Sequence, residues 1–91
     1  MPIYSVSYDL RKPGRDYTLL HKKIKDLGAW WHYLDSTWLV KTSKSAEQIA
    51  ESLRAAIDQN DRLLVINVGR DYAGWLENEA WEWLRDHSQA A

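Results

Sequence analysis

The sequence predicts an α+β fold in which one antiparallel sheet carries two helices on one face. Three observations support this prediction: strand-like segments at residues 3–8 and 62–68, two amphipathic helical segments, and an aromatic hairpin between those helices. The order of elements is β-α-β-β-α-β, followed by a short terminal helix. At 91 residues the chain has the length of one domain, which we expect to span residues 1–91.

The first predicted strand, residues 3–8, alternates between two faces. One face carries Tyr4, Val6 and Tyr8. The first helix is predicted over residues 17–27, with Asp16 as its N-cap and Gly28 as its C-terminal cap. Its apolar side chains recur at helical spacing: Tyr17, Leu20, Ile24 and Leu27. These patterns predict a strand and a helix that each present one apolar face to a shared core.

An aromatic hairpin is predicted next, with strands at residues 29–34 and 37–41 joined by a polar turn at Asp35-Ser36. Its aromatic side chains include Trp30, Trp31, Tyr33 and Trp38. Such rings can stack on nucleic-acid bases. In a two-stranded hairpin, however, they more often form core and dimer contacts, and we favour this structural interpretation.

The second half of the chain predicts a capped helix and a last long strand. Ser43 or Ser45 caps the helix, with Glu47 or Gln48 in a capping box, and the helix ends at Asn60-Asp61. Its apolar stripe consists of Ile49, Leu53, Ala56 and Ile57. The strand is predicted at residues 62–68, and its run Leu63-Leu64-Val65-Ile66 indicates burial on both faces. A terminal helix is predicted around Leu76, Ala80, Trp83 and Leu84.

Charge is unevenly distributed along the chain, although the formal net charge is only −1. Residues 1–44 contain eight Lys and Arg and four Asp, whereas residues 45–91 contain four Arg and nine acidic residues. This asymmetry is typical of a phosphate-binding side or of self-association between unlike surfaces, but a mixed solvated surface accounts for it equally well. The near-neutral total argues against tight electrostatic binding of nucleic acid.

Composition narrows the class of protein further. The chain has no Cys, which excludes disulfides, a thiolate nucleophile and cysteine-ligated zinc. The longest apolar run is far shorter than the roughly 20 residues that cross a bilayer, so we expect a cytoplasmic protein without a membrane partner. Because so small a domain buries little surface and its predicted plan leaves one sheet face uncovered, we expect a homodimer through that face.

The candidate chemistry lies where the first strand ends. Asp9 is followed by a basic loop that contains Arg11, Lys12 and Arg15. A carboxylate can hold Mg²⁺, whose bound water can attack a phosphodiester, and the basic side chains can bind its phosphates. Alternatively, Asp9 accepts hydrogen bonds from loop amides and the basic residues keep the loop soluble.

The three histidines are weaker candidates for chemistry. His32 is the best-placed acid or base, since imidazole titrates near physiological pH. It has no visible partner in the sequence, so a hydrogen-bonded structural role is favoured for it. His21 and His87 are interpreted as surface residues, and no two histidines have the spacing of zinc ligands.

The predicted order of elements is that of the ferredoxin-like plan. With Tyr8-Asp9 at the end of the first strand, the chain resembles the Cas-two superfamily of small CRISPR-associated dimers and their VapD-type toxin relatives. Two further segments are similar to a poorly characterised bacterial family labelled SinR-like. They are Leu27 to Val40, and Gly74-Trp75-Leu76 together with Glu79 to Leu84.

The resemblance implies a homodimeric, metal-dependent endonuclease that hydrolyses RNA or DNA. The resemblance implies that Asp9 is the magnesium ligand and lies near its symmetry mate at the dimer axis. Aromatic residues replace the polar ones that the superfamily has before Ser36, so its groove-binding residues do not carry over. The alternative is a non-catalytic dimeric module that binds nucleic acid or protein, such as a CRISPR-like scaffold, a toxin–antitoxin component or a regulator.

Overall fold

The structure is a computed structural model that describes residues 1–11 and 16–88. Within these residues it is an α+β fold with one antiparallel four-stranded sheet and three helices, as the sequence predicts. The elements are β1 (Ile3–Asp9), α1 (Thr18–Lys25), β2 (Ala29–Leu34), β3 (Thr37–Lys41), α2 (Ala46–Arg54), β4 (Arg62–Val68) and α3 (Asn78–Ser88). The strand order is β2-β3-β1-β4. This arrangement is compatible with a ferredoxin-like fold.

Local sequence determines where α1 and α2 begin and end. Ser45 caps α2 through a complete capping box: its hydroxyl accepts from the Gln48 amide at 3.1 Å, and the Gln48 side chain accepts from the Ser45 amide at 2.9 Å. Both helices are shorter than predicted. The helix α2 ends at Arg54, well before Asn60-Asp61, because its last turn tightens into bonds between residues three apart.

The predicted N-cap of α1 is wrong by one position. Tyr17 occupies the N-cap, and its side chain makes no capping hydrogen bond. The Asp16 carboxylate instead accepts from the Thr18 amide at 2.9 Å and from the Thr18 hydroxyl. An Asp side chain that bonds the amide two residues on forms an Asx-type turn, which moves the helix start one residue along the chain.

The main core lies between the sheet and the pair α1 and α2. Alternation along β1 directs Tyr4, Val6 and Tyr8 to this side, as predicted. The completely or almost completely buried members of the core are Val6, Leu20, Ile24, Trp38, Val40, Ile49, Leu53 and Ala56. We call this side of the sheet the covered face.

The opposite face is only partly covered. The helix α3 lies against β2 and buries Trp31, Ala80 and Leu84. On β4, Leu64 is 57% exposed and Ile66 is 52% exposed, so the prediction that β4 is buried on both faces is wrong. The physical reason is position: β4 is an edge strand, and α3 packs over the other edge of the sheet.

Candidate functional site

Asp9 ends β1 with its carboxylate in solvent. The Arg11 guanidinium binds it through Nε and Nη2, each 3.0 Å from Oδ2, and both side chains are more than half exposed. Across the sheet, Asp9 lies opposite Arg62 of β4. An exposed ion pair of this kind contributes only about 0–1 kcal/mol to stability, so the carboxylate remains available to a competing cation.

The predicted phosphate-binding loop is described only at its start. Arg11 forms an exposed ion pair with Asp9 and does not by itself show a phosphate site. Lys12 and Arg15 lie outside the described residues. Their role in binding phosphate therefore stays a prediction.

Asp9 can supply one carboxylate to a magnesium ion. Within residues 1–11 and 16–88, no three His, Asp or Glu side chains are grouped so that they could hold a metal ion. Magnesium is bound through one or two carboxylates and keeps several waters, so the donor type suits the ion. The ion would have to displace Arg11, and a second carboxylate would have to come from another copy.

Asp61 is a buried carboxylate at a position where the sequence predicts only the end of a helix. It accepts hydrogen bonds from the Arg11 amide and the Tyr17 hydroxyl, each at 2.7 Å, and from the Asp58 amide at 2.8 Å. A carboxylate that is 6% exposed needs such donors. Asp61 therefore joins the segment after β1 to the turn before β4, and it positions the chain that carries Arg11.

A second group of polar side chains lies on the covered face, beside α1. The Trp38 indole donates to the Tyr8 hydroxyl at 2.9 Å, and that hydroxyl is 3.4 Å from Nε2 of His21. The His32 ring stacks on Trp38, with centroids 3.8 Å apart, and its Nδ1 lies 3.1 Å from the Thr37 carbonyl oxygen. His32 therefore has partners that the sequence did not reveal, and His21 is half-buried among rings.

Burial in this group lowers the pKa of His21, and the charges of His32 and Lys25 lower it further, while Asp16 acts in the opposite direction. The neutral ring is therefore favoured. Because the indole can only donate, the hydrogen of the Tyr8 hydroxyl is left for the neutral Nε2 of His21. The arrangement positions Tyr8 and α1; it faces away from Asp9, whose side chain lies on the other side of β1.

The aromatic hairpin divides into buried and exposed rings. Trp31 and Trp38 are each 2% exposed, which favours the structural interpretation for both. Trp30 and Tyr33 keep more than a third of their surface in solvent. Trp30 packs on Trp38 and lies beneath the Lys25 ammonium, 5.0 Å from the ring centroid. Base stacking by this hairpin is thus restricted to two rings that point to opposite sides of β2.

A strip of the sheet with two exposed aliphatic side chains lies beside α3. We define the open strip as Leu64 and Ile66 of β4 with Ser5 and Ser7 of β1. Asp9 and Arg62 lie at one end of the same face, beside a shallow depression of about 330 Å³. The strip therefore combines exposed aliphatic side chains with two opposite charges.

No protein-family model matches this chain, and no curated protein is detectably similar to it. No helix among residues 1–11 and 16–88 is both long and apolar enough to cross a bilayer.

Proposed function

We propose that this protein is a Cas-two-like homodimer of ferredoxin-like subunits that acts as a module for binding nucleic acid or protein. The observation that carries the proposal is the open strip, where Leu64 and Ile66 are more than half exposed on an otherwise ordered strand. Exposed aliphatic side chains next to each other on a sheet face are typical of a partner surface. We infer that a second copy of the chain covers them.

The charges at the end of the strip favour a second copy over an unrelated partner. An interface around a two-fold axis places the same patch on both sides, so the patch must complement itself. Asp9 and Arg62 supply both signs on one face. Arg62 of one copy can then meet Asp9 of the other, while the aliphatic side chains of the two strips pack together.

Sedimentation of the full chain tests this dimer. We expect about twice the chain mass of 10.7 kDa at micromolar concentration. The double variant Leu64→Lys, Ile66→Lys should sediment as a monomer, because two ammonium groups on each copy would be buried against each other. Leu19→Lys is the matched control, since Leu19 is 50% exposed on α1 and lies outside the strip.

A monomeric wild-type chain at micromolar concentration would overturn the proposed dimer. The proposed dimer would also be overturned if the double variant and Leu19→Lys both remained dimeric, because the interface would then lie elsewhere. Circular dichroism of both variants establishes that any monomer is folded.

A second candidate function is magnesium-dependent hydrolysis of RNA or DNA. It is favoured by the position of Asp9, an exposed carboxylate on the same face as the open strip. If the two-fold axis passes close to this end of the strip, the Asp9 carboxylates of both copies approach each other. Two such carboxylates disfavour each other's ionisation unless a cation lies between them, which is the condition for a shared metal ion.

Cleavage assays with single-stranded RNA and duplex DNA test this candidate, with Mg²⁺ or Mn²⁺ and a chelator control. Asp9→Asn should retain the fold and lose most metal-dependent cleavage, because an amide is a neutral and poorer ligand. Asp35→Asn, in the exposed turn between β2 and β3, is the control and should cleave normally. Undiminished cleavage by Asp9→Asn would contradict the site, and a wild type that cleaves nothing would leave only the binding module.

A further inference from the structure

The two most exposed aromatic side chains in the described part of the chain line one depression beside the start of α3. Trp75 is 97% exposed and Tyr33 is 48% exposed. The depression has a volume of about 570 Å³, and Trp81 and Glu77 also line it. We call these four side chains the aromatic depression. Its rings come from β2, from the segment before α3 and from α3 itself, so the fold brings together residues that are distant in the chain.

Contacts behind the depression hold two of its rings in place. Tyr33 packs on Trp31, with ring centroids 5.3 Å apart, and Trp31 is itself buried. The Trp81 ring is nearly parallel to that of Tyr72, at a centroid distance of 6.4 Å and an angle of 16°. Trp75, in contrast, is covered by no described part of the chain. Exposed rings grouped around one depression are typical of a surface that a ligand covers.

The charge of the lining favours a cation. Glu77 supplies a carboxylate, and no Lys, Arg or His is among the described residues that line the depression. Glu77 makes no ion pair with another described residue. The face of an aromatic ring is also negative, so the rings and the carboxylate attract the same kind of ligand. The N-terminal end of α3 opposes them with only about half a positive charge, whereas Glu77 and Glu79 bring two carboxylates to that end.

The small number of hydrogen-bond acceptors in the depression selects among cations. Its side-chain acceptors are the Glu77 carboxylate and the Tyr33 hydroxyl. A primary ammonium or a guanidinium group carries several N–H donors, each of which needs an acceptor or a water molecule. A quaternary ammonium group carries methyl groups instead, so it can lie directly against ring faces without leaving a donor unpaired. Aromatic side chains are the usual means by which proteins recognise such groups.

We propose that the aromatic depression is a binding site for a quaternary ammonium group, with its three rings as walls and the Glu77 carboxylate as counter-charge. Free choline-like molecules and phosphatidylcholine head groups both present this group. The site goes beyond the proposed dimer and does not depend on Asp9. It lies at the β2 edge of the sheet, whereas the open strip lies at the β4 edge.

Three probes test the site: choline, its neutral analogue in which a tert-butyl group replaces the trimethylammonium group, and ethanolamine, whose ammonium group carries hydrogens. Titration of each into the ¹⁵N-labelled full chain is followed by NMR at the six Trp indole groups. We expect choline to bind about tenfold more tightly than the neutral analogue, because several exposed rings and a carboxylate contribute. Ethanolamine should bind more weakly than choline. The indole signals of Trp75 and Trp81 should shift, whereas that of Trp38, in the main core, should not.

Two variants separate the rings from the carboxylate. Trp75→Leu keeps an apolar side chain and removes a ring, so it should weaken choline binding severalfold; its control is Trp30→Leu, at an exposed ring outside the depression. Glu77→Gln should weaken the binding of choline but not that of the neutral analogue. Its control is Glu47→Gln on α2, which changes the net charge equally and should bind like the wild type. Circular dichroism establishes that each variant is folded.

Equal affinities of the wild-type chain for choline and the neutral analogue would overturn the proposal, because binding would then not depend on the charge. Binding of neither probe would overturn it as well, and ethanolamine binding as tightly as choline would overturn the quaternary class. A choline preference that survives both Trp75→Leu and Glu77→Gln would place the site elsewhere and overturn the assignment.

Phosphatidylcholine vesicles distinguish the two sources of the group. If the full chain sediments with the vesicles and free choline releases it, the ligand is the lipid head group. If the chain binds choline but stays in the supernatant, the ligand is a free molecule.

Discussion

The two faces of the sheet are built from the same four strands but are covered very differently. On the covered face, α1 and α2 bury a continuous core in which Val6, Val40 and Ile49 have no exposed surface. On the other face, α3 packs chiefly against β2 and leaves Leu64 and Ile66 in solvent. Burial therefore marks the first face as the main core of the chain, whereas the second face stays partly open to solvent.

The candidate residues for chemistry also lie on different faces of the sheet. His21 and His32 lie with Tyr8 on the covered face, whereas Asp9 lies on the open one. Adjacent residues of a strand point to opposite faces, so Tyr8 and Asp9 cannot serve one site within a single chain. Chemistry at Asp9 would draw on Arg11 and Arg62 of the same chain or on groups from another copy.

The largest expected effect on stability is at Trp38, the largest buried side chain of the covered face. Trp38→Ala should lower the free energy of unfolding by about 3–5 kcal/mol, because it removes a buried ring and leaves a cavity. Trp75→Ala, at a ring that is 97% exposed, is the control and should leave stability nearly unchanged. Denaturant melts of both variants measure the difference. Similar losses in the two variants would show that burial does not separate these positions.

Gly28 lies just before β2, close to the backbone of β3, so Gly28→Ala should disturb the pairing of these strands. A Cβ at Gly28 would collide with the Lys41 carbonyl oxygen, which belongs to β3 and cannot move without disturbing the sheet. We expect a loss of about 1–3 kcal/mol, as for other overpacked sites. Gly69→Ala is the control, because no atom lies within 4 Å of its added Cβ. Equal melting midpoints for the two variants would contradict the close approach.

Val65 and Leu64 are adjacent on β4 and point to opposite faces, so their variants compare the two faces within one strand. Val65 packs against the main core, so Val65→Ala should cost about 1 kcal/mol in unfolding free energy. Leu64→Ala should cost less than about 0.5 kcal/mol at protein concentrations where the chain is monomeric. Unfolding at several protein concentrations separates this intrachain term from the dimer. A large, concentration-independent loss for Leu64→Ala would mean that the open strip is covered within the chain.

The smallest expected effect is a pH dependence of stability that arises from His21 on the covered face. The pKa of His21 is lowered below its ordinary value of 6.5, mainly by burial. Above that pH both the folded and the unfolded chain hold a neutral ring. Below it the unfolded chain binds the proton first, so stability decreases as the pH falls from 6.5 towards the folded pKa.

His21→Gln should remove part of this acid-induced loss, whereas His87→Gln, on α3, should retain all of it. Urea melts between pH 7.5 and pH 5.5, roughly spanning the titration of histidine, provide the measurement. If the wild type and His21→Gln lose the same stability across this range, the buried position of His21 has no energetic consequence.

Several features of this protein could be predicted from its sequence because they depend on residues a few positions apart. The strands at residues 29–34, 37–41 and 62–68 follow from β-prone runs bounded by turn residues. The Ser45 capping box follows from spacing alone. The start of α1 was misplaced because Asp16 can bond the Thr18 amide in either of two local geometries, and a sequence does not choose between them.

Other features arise only when distant segments meet. Asp61 contacts Arg11, fifty residues earlier in the chain, and no local pattern marks it as a buried acceptor. The same holds for His21, whose partners come from β1, β2 and β3. The run from Leu63 to Ile66 determined that β4 is a strand, because side-chain type and alternation act locally. Whether Leu64 and Ile66 would be buried was decided by the placement of α3 over the opposite edge of the sheet, which is a property of packing and not of β4 itself.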